Sequence, residues 1–259
     1  MPLTDHLREE ARLAPESGIV AVVNYGWSKP GGVIPLWAGE GDLPTPDFIS
    51  DAASRSLAAG ETFYTYQRGI PALRQALAGY HARVFGGTFS PEQFFVTGGG
   101  MHAILLALQA TAGKGDEVVY LEPAWPNISG ATGVAGARPV PVRLDAGANG
   151  WSLDIGRVED AVTARTRALF VNSPSNPTGW TATREELREM LAIARRRGLW
   201  IIADETYARF FYGHARAPSF LDVMEPEDRI IFVNTFSKNW AMTGWRIGWL
   251  IAHPSLGQV

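Results

Sequence analysis

Lysine is the side chain best suited to amine chemistry, and this sequence has three lysines among 23 basic residues. Arginine does not lose its proton in a protein, so Lys29, Lys114 and Lys238 are the candidates for a nucleophilic amine. Lys29 lies in SKPGG and Lys114 in AGKGD, and we expect both turns to be solvated. Lys238 follows a buried-strand pattern, where desolvation would lower the pKa of its ammonium. We therefore predict that Lys238 is the reactive amine; the alternative is a surface lysine whose charge reaches solvent.

Other polar side chains also follow apolar runs. Asp204 ends one such run and begins DETY (204–207), which predicts either a buried carboxylate in need of a partner or a helix N-cap. Asn176 lies between two prolines in SPSNPTG (173–179), which would hold its amide rigidly, although a structural turn also explains the prolines. Arg246 follows Lys238 by eight residues and could bind a phosphate through two N–H groups.

Two more turns could contribute to a ligand site. The glycines at 98–100 precede an apolar helix pattern, and free amides at a helix start bind anions. A tight strand–helix turn is an equally good interpretation of these glycines. Trp125 lies in the EPAWP turn and could stack on a ring, although packing in the core or on the surface is the commoner role of a tryptophan.

The elements that must position these residues alternate along the chain. The strongest helix patterns cover 71–86, 100–113 and 183–198, the last with a capping box between Thr183 and Glu186. Short apolar runs predict seven strands, at 93–97, 117–121, 138–142, 167–172, 199–204, 229–235 and 246–252. This alternation predicts a three-layer α/β/α fold around a seven-stranded, mostly parallel sheet. Ligands of such sheets bind at the carboxyl ends of the strands, where the candidate residues fall.

The chain divides into two predicted regions. Residues 1–46 are rich in turn-forming stretches such as SKPGG and EGDLPTP, so we predict an irregular N-terminal arm. Residues 47–259 carry the alternating strands and helices and are predicted to form one large domain.

Composition excludes several classes of protein. The absence of cysteine rules out disulfides, thiolate catalysis and cysteine-ligated metals, and we predict no metal site. The net charge of -3 argues against a nucleic-acid-binding surface, which would need a basic face. No apolar run approaches the ~18 residues of a membrane helix, and the first residues lack the apolar core of a signal peptide. We therefore expect a soluble cytoplasmic protein that binds neither nucleic acid nor membrane.

Several of these stretches, taken together, resemble the fold-type I pyridoxal-phosphate enzymes. The resemblance is greatest to the class I/II aminotransferases of the aspartate aminotransferase family. The stretches that carry it are YTYQRGIPALRQALA (64–78), VTGGGMHAI (96–104), NPTG (176–179), DETY (204–207) and TFSKNWAMTGWRIGW (235–249). The match runs from about Leu36 to the last residue. It implies the large-domain fold of these enzymes, pyridoxal 5'-phosphate as cofactor, and transfer of the amino group of an L-amino acid to a 2-oxo acid.

The resemblance also implies a role for each candidate residue. Lys238 would form the Schiff base with the cofactor and later move a proton at the substrate, while Asp204 would pair with the ring nitrogen. Tyr207 and Asn176 would bind the phenolic oxygen, and Trp125 would stack on the ring. The phosphate would be held by Gly99, Gly100, Met101, Thr235, Ser237 and Arg246.

Two residues are assigned to other partners by the same resemblance. Tyr64 would reach the phosphate of a neighbouring subunit, which implies a homodimer with shared sites. Gly39, together with Asn176, would contact the substrate.

The sequence departs from the family pattern at two points. Thr235 stands where the family prefers glycine or serine, and its hydroxyl can make the same bond to phosphate. Family members are usually well over a hundred residues longer, so we expect a C-terminally truncated large domain without the small domain. No residue here matches the arginine that binds the substrate carboxylate in the family. A C–S lyase or related elimination enzyme stays open as an alternative, because such enzymes share the cofactor residues. A cofactor-binding remnant without catalysis stays open because of the length.

Overall fold

The computed structural model describes residues 2–14 and 18–258. Within these ranges the strands are β1 (Phe94–Thr97), β2 (Glu117–Glu122), β3 (Arg138–Arg143), β4 (Asp145–Gly147), β5 (Gly150–Ser152), β6 (Thr166–Asn172), β7 (Trp200–Asp204), β8 (Ile230–Thr235) and β9 (Gly248–Ile251). The helices are α1 (Glu9–Arg12), α2 (Gly18–Trp27), α3 (Asp47–Ala58), α4 (Pro71–Phe85), α5 (Gly100–Thr111), α6 (Asn127–Val134), α7 (Ile155–Ala161), α8 (Arg184–Arg197) and α9 (Phe236–Asn239).

Seven of the strands form one sheet, in the order β1-β9-β8-β7-β6-β2-β3. The strands from β8 to β3 in this order are parallel, and β9 runs antiparallel to both of its neighbours. Each of the seven predicted strands is present within two residues of its predicted ends. The prediction of a seven-stranded, mostly parallel sheet is therefore confirmed.

Helices cover both faces of this sheet, because its central strands are apolar on consecutive positions. In β6, Leu169 and Val171 face the core shared with α4, α7 and α8. Ala168 and Phe170, which alternate with them, face the core shared with α5 and α6. Strand periodicity thus produces two hydrophobic cores and the predicted three-layer architecture.

The best-defined helix, α8, begins and ends as its sequence predicts. The Thr183 hydroxyl accepts from the Glu186 amide at 3.1 Å, and the Glu186 carboxylate accepts from the Thr183 amide at 2.7 Å. Gly198 follows the last turn in the left-handed region, with φ of 68°. Local capping chemistry therefore fixes both ends of this helix.

Several elements differ from the prediction. The arm, predicted to be irregular, contains the short helix α1 and the longer helix α2. The sequence of α2 is apolar and rich in β-branched residues, so it lacks the polar face that would have predicted a helix. Helices α3, α6, α7 and α9 and the exposed β4–β5 hairpin were also not predicted. None of the described helices is long and apolar enough to cross a membrane.

The topology brings the candidate residues to one edge of the sheet. The last residues of β6 and β7, Asn172 and Asp204, are register partners, and Asp204 in turn pairs with Val233 of β8. Gly248 of β9 passes the start of α5 so closely that a Cβ there would lie 2.8 Å from the Gly99 carbonyl carbon. Only glycine permits this approach, which joins the glycine turn to the sheet.

Candidate active site

A cavity of about 440 Å³ opens at the carboxyl ends of β6, β7 and β8. Eleven of the thirteen predicted site residues line it: Gly39, Gly100, Met101, Trp125, Asn176, Asp204, Tyr207, Thr235, Ser237, Lys238 and Arg246. Of the other two, Gly99 lies directly beside Arg246, and Tyr64 is fully exposed and is not among the lining residues. The fold therefore gathers residues from the arm, from α5 and from three strand ends around one space.

Lys238 lies in the short helix α9, which follows β8 directly. Its side chain is half-buried, and its Nζ donates to the Gly39 carbonyl oxygen at 2.6 Å. Burial lowers the pKa of the Lys238 amine and the charge of Arg246 lowers it further, while Glu40 and Asp204 act in the opposite direction. A lowered pKa increases the fraction of free amine, which a nucleophilic lysine requires.

Asp204 is the buried carboxylate of the cavity. Only 7% of the residue is exposed, and burial raises the pKa of its carboxyl group. Its Oδ1 accepts from the Thr206 backbone amide at 3.2 Å, and both this bond and the Lys238 charge favour the ionised form. A carboxylate so buried gains most from a cationic partner within the cavity.

Asn172 connects the carboxylate strand to the proline turn, and sequence reasoning missed it. Its Nδ2 donates to the Asp204 carbonyl oxygen at 3.1 Å, while its Oδ1 accepts from the Asn176 backbone amide at 2.8 Å. The Asn176 backbone is thereby held beside the cavity, which the residue lines. The one available signal for Asn172 was its place as the last residue of a predicted strand.

Tyr207 stands next to Lys238. The Lys238 Nζ lies 5.8 Å from the centroid of the Tyr207 ring. Burial and the charge of Asp204 raise the pKa of the Tyr207 hydroxyl, and the Asn176 side chain lowers it. Tyr207 is therefore a hydrogen-bond donor at neutral pH, directed to the same part of the cavity as the amine.

An anion cradle lies at the start of α5. Gly99 has a φ of +94°, and a Cβ there would lie 2.6 Å from the Arg246 Nη2. Arg246 is itself in the left-handed region and donates through Nη1 to the Thr243 carbonyl oxygen at 2.6 Å. Free amides at the start of a helix beside a guanidinium form an environment suited to a multiply charged anion.

The hydroxyl groups before Lys238 also face the cavity. The Thr235 Oγ1 accepts from the Ser237 amide at 3.1 Å and lies 2.9 Å from the Ser237 Oγ. Both residues are buried, so the two hydroxyls have fixed positions beside the cradle. The cavity is also lined by five residues to which the sequence analysis assigned no role: Ile104, Asn127, Asn172, Thr206 and Thr243. Ile104, Thr206 and Thr243 lie within the stretches that carry the family resemblance, whereas Asn127 and Asn172 lie outside them.

Comparison with known proteins connects this cavity to one family. Residues 32–258 match the family model described as aminotransferase class I and II. The chain is 39% identical over 248 residues to an aspartate aminotransferase of Streptomyces avermitilis, covering 95% of this chain and 59% of that protein. It is 37% identical over 227 residues to an arginine–pyruvate transaminase of Pseudomonas aeruginosa, covering 86% and 56%.

A solved structure shows the same arrangement of the backbone. The aspartate aminotransferase of Thermotoga maritima superimposes with a TM-score of 0.90 at 35% identity, covering 97% of this chain and 68% of that one. The chain thus spans somewhat under three fifths of the length of the two relatives and about two thirds of this structure.

Proposed function

This chain belongs to the class I and II aminotransferase family, and we propose that it binds pyridoxal 5'-phosphate and serves in the transfer of an amino group from an L-amino acid to a 2-oxo acid. One observation carries the proposal. A single cavity is lined by an amine of lowered pKa at Lys238, a buried carboxylate at Asp204 and the Arg246 guanidinium, and Gly99 of the anion cradle lies directly beside that guanidinium.

The residues of the cavity fit this cofactor. The glycine turn leaves room beside Arg246 that a Cβ would fill, which suits a phosphate group. Asp204 is buried at the end of β7, where a protonated ring nitrogen would be the cationic partner that it needs. When bound, pyridoxal phosphate supplies an aldehyde carbon that reacts with amines and a ring that delocalises electrons from a substrate carbon.

Each residue then has a definite task in the proposed reaction. Lys238 would hold the cofactor and, once free, would move a proton at the substrate Cα, for which an amine of lowered pKa is suited. Asp204 would stabilise a positive charge on the ring nitrogen. Tyr207 and Asn176 would donate hydrogen bonds to the phenolic oxygen, and Trp125 would offer its ring for stacking.

The phosphate is proposed to bind at the start of α5. Its oxygens would accept hydrogen bonds from the helix amides, from two hydroxyl groups and from one guanidinium. The residues assigned to this task are Gly99, Gly100, Met101, Thr235, Ser237 and Arg246.

Substrates and partners are part of the same proposal. The relatives compared above are named for aspartate and for arginine with pyruvate, so family membership does not select one donor side chain. We assign Gly39 and Asn176 to the substrate, because both line the cavity beside Tyr207. The fully exposed ring of Tyr64 suits contact with a second copy of the chain, and we propose a homodimer.

The proposal is tested by adding pyridoxal phosphate to the purified chain. We expect an absorption band of the lysine-bound cofactor, which borohydride would fix covalently to Lys238 as mapped by mass spectrometry. The Lys238→Ala variant should lose the band, and the control variants Lys29→Ala and Lys114→Ala should retain it. A band that survives in Lys238→Ala would refute the assignment of the amine.

Amino-group transfer is tested separately from cofactor binding. A panel of acidic, basic, aromatic and aliphatic amino acids is added to the loaded chain, and formation of pyridoxamine phosphate is measured by chromatography. Conversion with at least one amino acid is expected. Cofactor binding without any conversion would leave this chain as a cofactor-binding protein and contradict the proposed transfer.

A further inference from the structure

The two adjacent carboxylates of DETY lie on opposite faces of the sheet. Asp204 lines the cavity, on the face covered by α5. Glu205 extends the pairing of β7, since its amide donates to the Val233 carbonyl oxygen at 3.1 Å. Side chains alternate along a strand, so the Glu205 carboxylate is directed to the other face, where Phe220 belongs to the core shared with α8. Glu205 is therefore buried without contributing to the cavity itself.

Glu205 binds the far end of the loop that it begins. Its Oε1 accepts from the Phe220 amide at 3.1 Å, and its two oxygens lie 2.8 and 2.7 Å from the Ser219 Oγ. The Ala217 amide donates to the Ala208 carbonyl oxygen at 2.8 Å and closes the same loop base. Residues 205–219 thus form a loop that is fixed at its base.

The tip of this loop is exposed to solvent, whereas its base is buried. Tyr212 at the tip is 99% exposed, whereas Glu205 is 4% exposed and Ser219 is 1% exposed. Tyr207 lies two residues from Glu205 and turns back into the cavity beside Lys238. The contacts at the base therefore begin two residues from Tyr207 in the chain.

Charged side chains around Glu205 make further contacts at the base of the loop. Asp222 pairs with Arg216 at 2.6 Å, and its Oδ2 accepts from the Ser219 amide at 3.0 Å. Arg216 also donates to the Val84 carbonyl oxygen near the end of α4, at 3.0 Å. From α8, Arg184 reaches Asp222 at 3.8 Å. No side-chain cation is among the direct hydrogen-bond partners of Glu205 in the described chain.

We propose that Glu205 is a positioning residue of the active site, which holds Tyr207 in the cavity by closing the base of its loop through Ser219 and Phe220. The closure itself is independent of the proposed function. Only the effect of Tyr207 on a bound cofactor rests on that function.

The protonation state of Glu205 makes this closure depend on pH. The pKa of Glu205 is raised to about 7, because burial, together with the charge of Asp222, outweighs the Ser219 and Phe220 hydrogen bonds and the charge of Arg216, which lower it. If the loop opens, the carboxylate becomes solvated and its pKa returns toward the ordinary 4.5. The closed loop then binds a proton more tightly than the open loop, so closure is strongest below pH 4.5 and weakens as the pH rises to about 7.

Hydrogen exchange of the cofactor-free chain tests the closure directly. After correction for intrinsic exchange rates, we expect the protection of amides 206–217 to fall by up to about tenfold per pH unit between pH 5 and 7. Glu205→Gln, which cannot ionise, should show protection that does not change with pH. Ser219→Ala should lower protection at every pH, by roughly tenfold for the lost hydrogen bond. The matched control Glu189→Gln removes an exposed carboxylate of α8 and should behave as the unaltered chain.

The loaded chain supplies a second measurement. The absorption of bound pyridoxal phosphate should change with an inflection near pH 7, absent in Glu205→Gln, because Tyr207 shifts beside Lys238. Exchange in Glu205→Gln with the same pH dependence as the unaltered chain, or unchanged protection in Ser219→Ala, would overturn the proposal. A chain that shows the expected exchange but binds no cofactor would support the closure of the loop by Glu205 and refute the proposed function. Circular dichroism identifies a variant that does not fold, in which case the other variant decides.

Discussion

The Lys238 ammonium donates to the Gly39 carbonyl oxygen at 2.6 Å, across 199 positions of sequence. Two more contacts hold the same part of the arm against the loop after Lys238. The Thr243 hydroxyl donates to Glu40 at 2.8 Å, and the Trp245 indole donates to the Thr45 hydroxyl at 3.0 Å. The arm is thus a wall of the cavity, and its Gly39 carbonyl oxygen is the hydrogen-bond acceptor of the Lys238 amine.

Replacement of Gly39 by alanine tests the role of this wall. A Cβ at this position would lie 3.3 Å from the Tyr207 hydroxyl oxygen and 3.5 Å from the Lys238 Nζ. We expect Gly39→Ala to weaken pyridoxal phosphate binding by about tenfold, because the new methyl group crowds the Tyr207 hydroxyl and fills space beside the Lys238 amine. The measurement is a titration of the cofactor absorption band.

Gly41→Ala is the matched control, because a Cβ at Gly41 would have nothing within 4 Å. It should bind the cofactor as the unaltered chain does. Equal affinities in Gly39→Ala and Gly41→Ala would show that the wall does not restrict the cavity.

The anion cradle is tested in the same way at Gly99. Here φ is +94°, and a Cβ would lie 2.6 Å from the Arg246 Nη2, so alanine is disfavoured both by backbone conformation and by collision. We expect Gly99→Ala to lower the affinity for pyridoxal phosphate about a hundredfold, and to lower the affinity for pyridoxal without phosphate much less.

Replacement of Gly213 by alanine separates the cost of backbone conformation from the collision with a side chain. Its φ is +88°, but a Cβ there would meet nothing within 4 Å, so Gly213→Ala carries the backbone cost alone. It should unfold at a lower denaturant concentration and still bind the cofactor normally. Similar losses for both forms of the cofactor in Gly99→Ala would contradict a phosphate cradle.

The sheet could be predicted because buried parallel strands have a strong local pattern. Runs such as 167–172 are apolar on consecutive positions and lie between turn residues, so each strand could be located without knowledge of its neighbours. Helix α2 could not, because its apolar residues lack a polar face and their packing depends on surroundings that the sequence does not display.

Within the site, residue type and position were sufficient to predict that Lys238 and Asp204, which follow or end apolar runs, lie together at the strand ends. The contacts of the neighbouring residues could be identified only from the three-dimensional structure. Asn172 is an ordinary strand-end residue until the register places it beside Asp204. The contact of Gly39 with Lys238 depends on the path of the arm over the sheet, which no local pattern specifies.

Removal of the Asp204 charge should separate cofactor binding from amino-group transfer. In Asp204→Asn the size of the side chain is kept, so the cradle and Lys238 should still bind pyridoxal phosphate. Transfer from an amino acid that converts the unaltered loaded chain should slow by roughly a hundredfold or more, since the positive charge on the ring nitrogen is no longer stabilised. Rapid-mixing absorption measurements of the half-reaction give both quantities. An unchanged rate would refute the role of Asp204.

At the opposite edge of the sheet from the cavity, Glu117 should control acid stability. This fully buried carboxylate accepts from Thr163 at 2.7 Å, from Arg138 at 2.7 Å and from Arg165 at 2.7 Å. These hydrogen bonds, that of Thr163 above all, lower the pKa of Glu117 to about 2. Because the folded pKa lies below the unfolded value of 4.5, the stabilisation is fully present above pH 4.5 and is lost as the pH falls toward 2.

Glu117→Gln should therefore lower the free energy of unfolding by about 3 kcal/mol at pH 7, because two arginines lose their shared carboxylate. The difference from the unaltered chain should shrink steadily between pH 5 and 2, as the native carboxyl group also becomes neutral. Urea unfolding followed by circular dichroism measures both chains across this range. Glu185→Gln, which removes an exposed carboxylate that pairs with Arg188, should change stability by less than about 0.5 kcal/mol at every pH. A constant difference between Glu117→Gln and the unaltered chain down to pH 2 would show that the stabilisation from Glu117 does not depend on its charge.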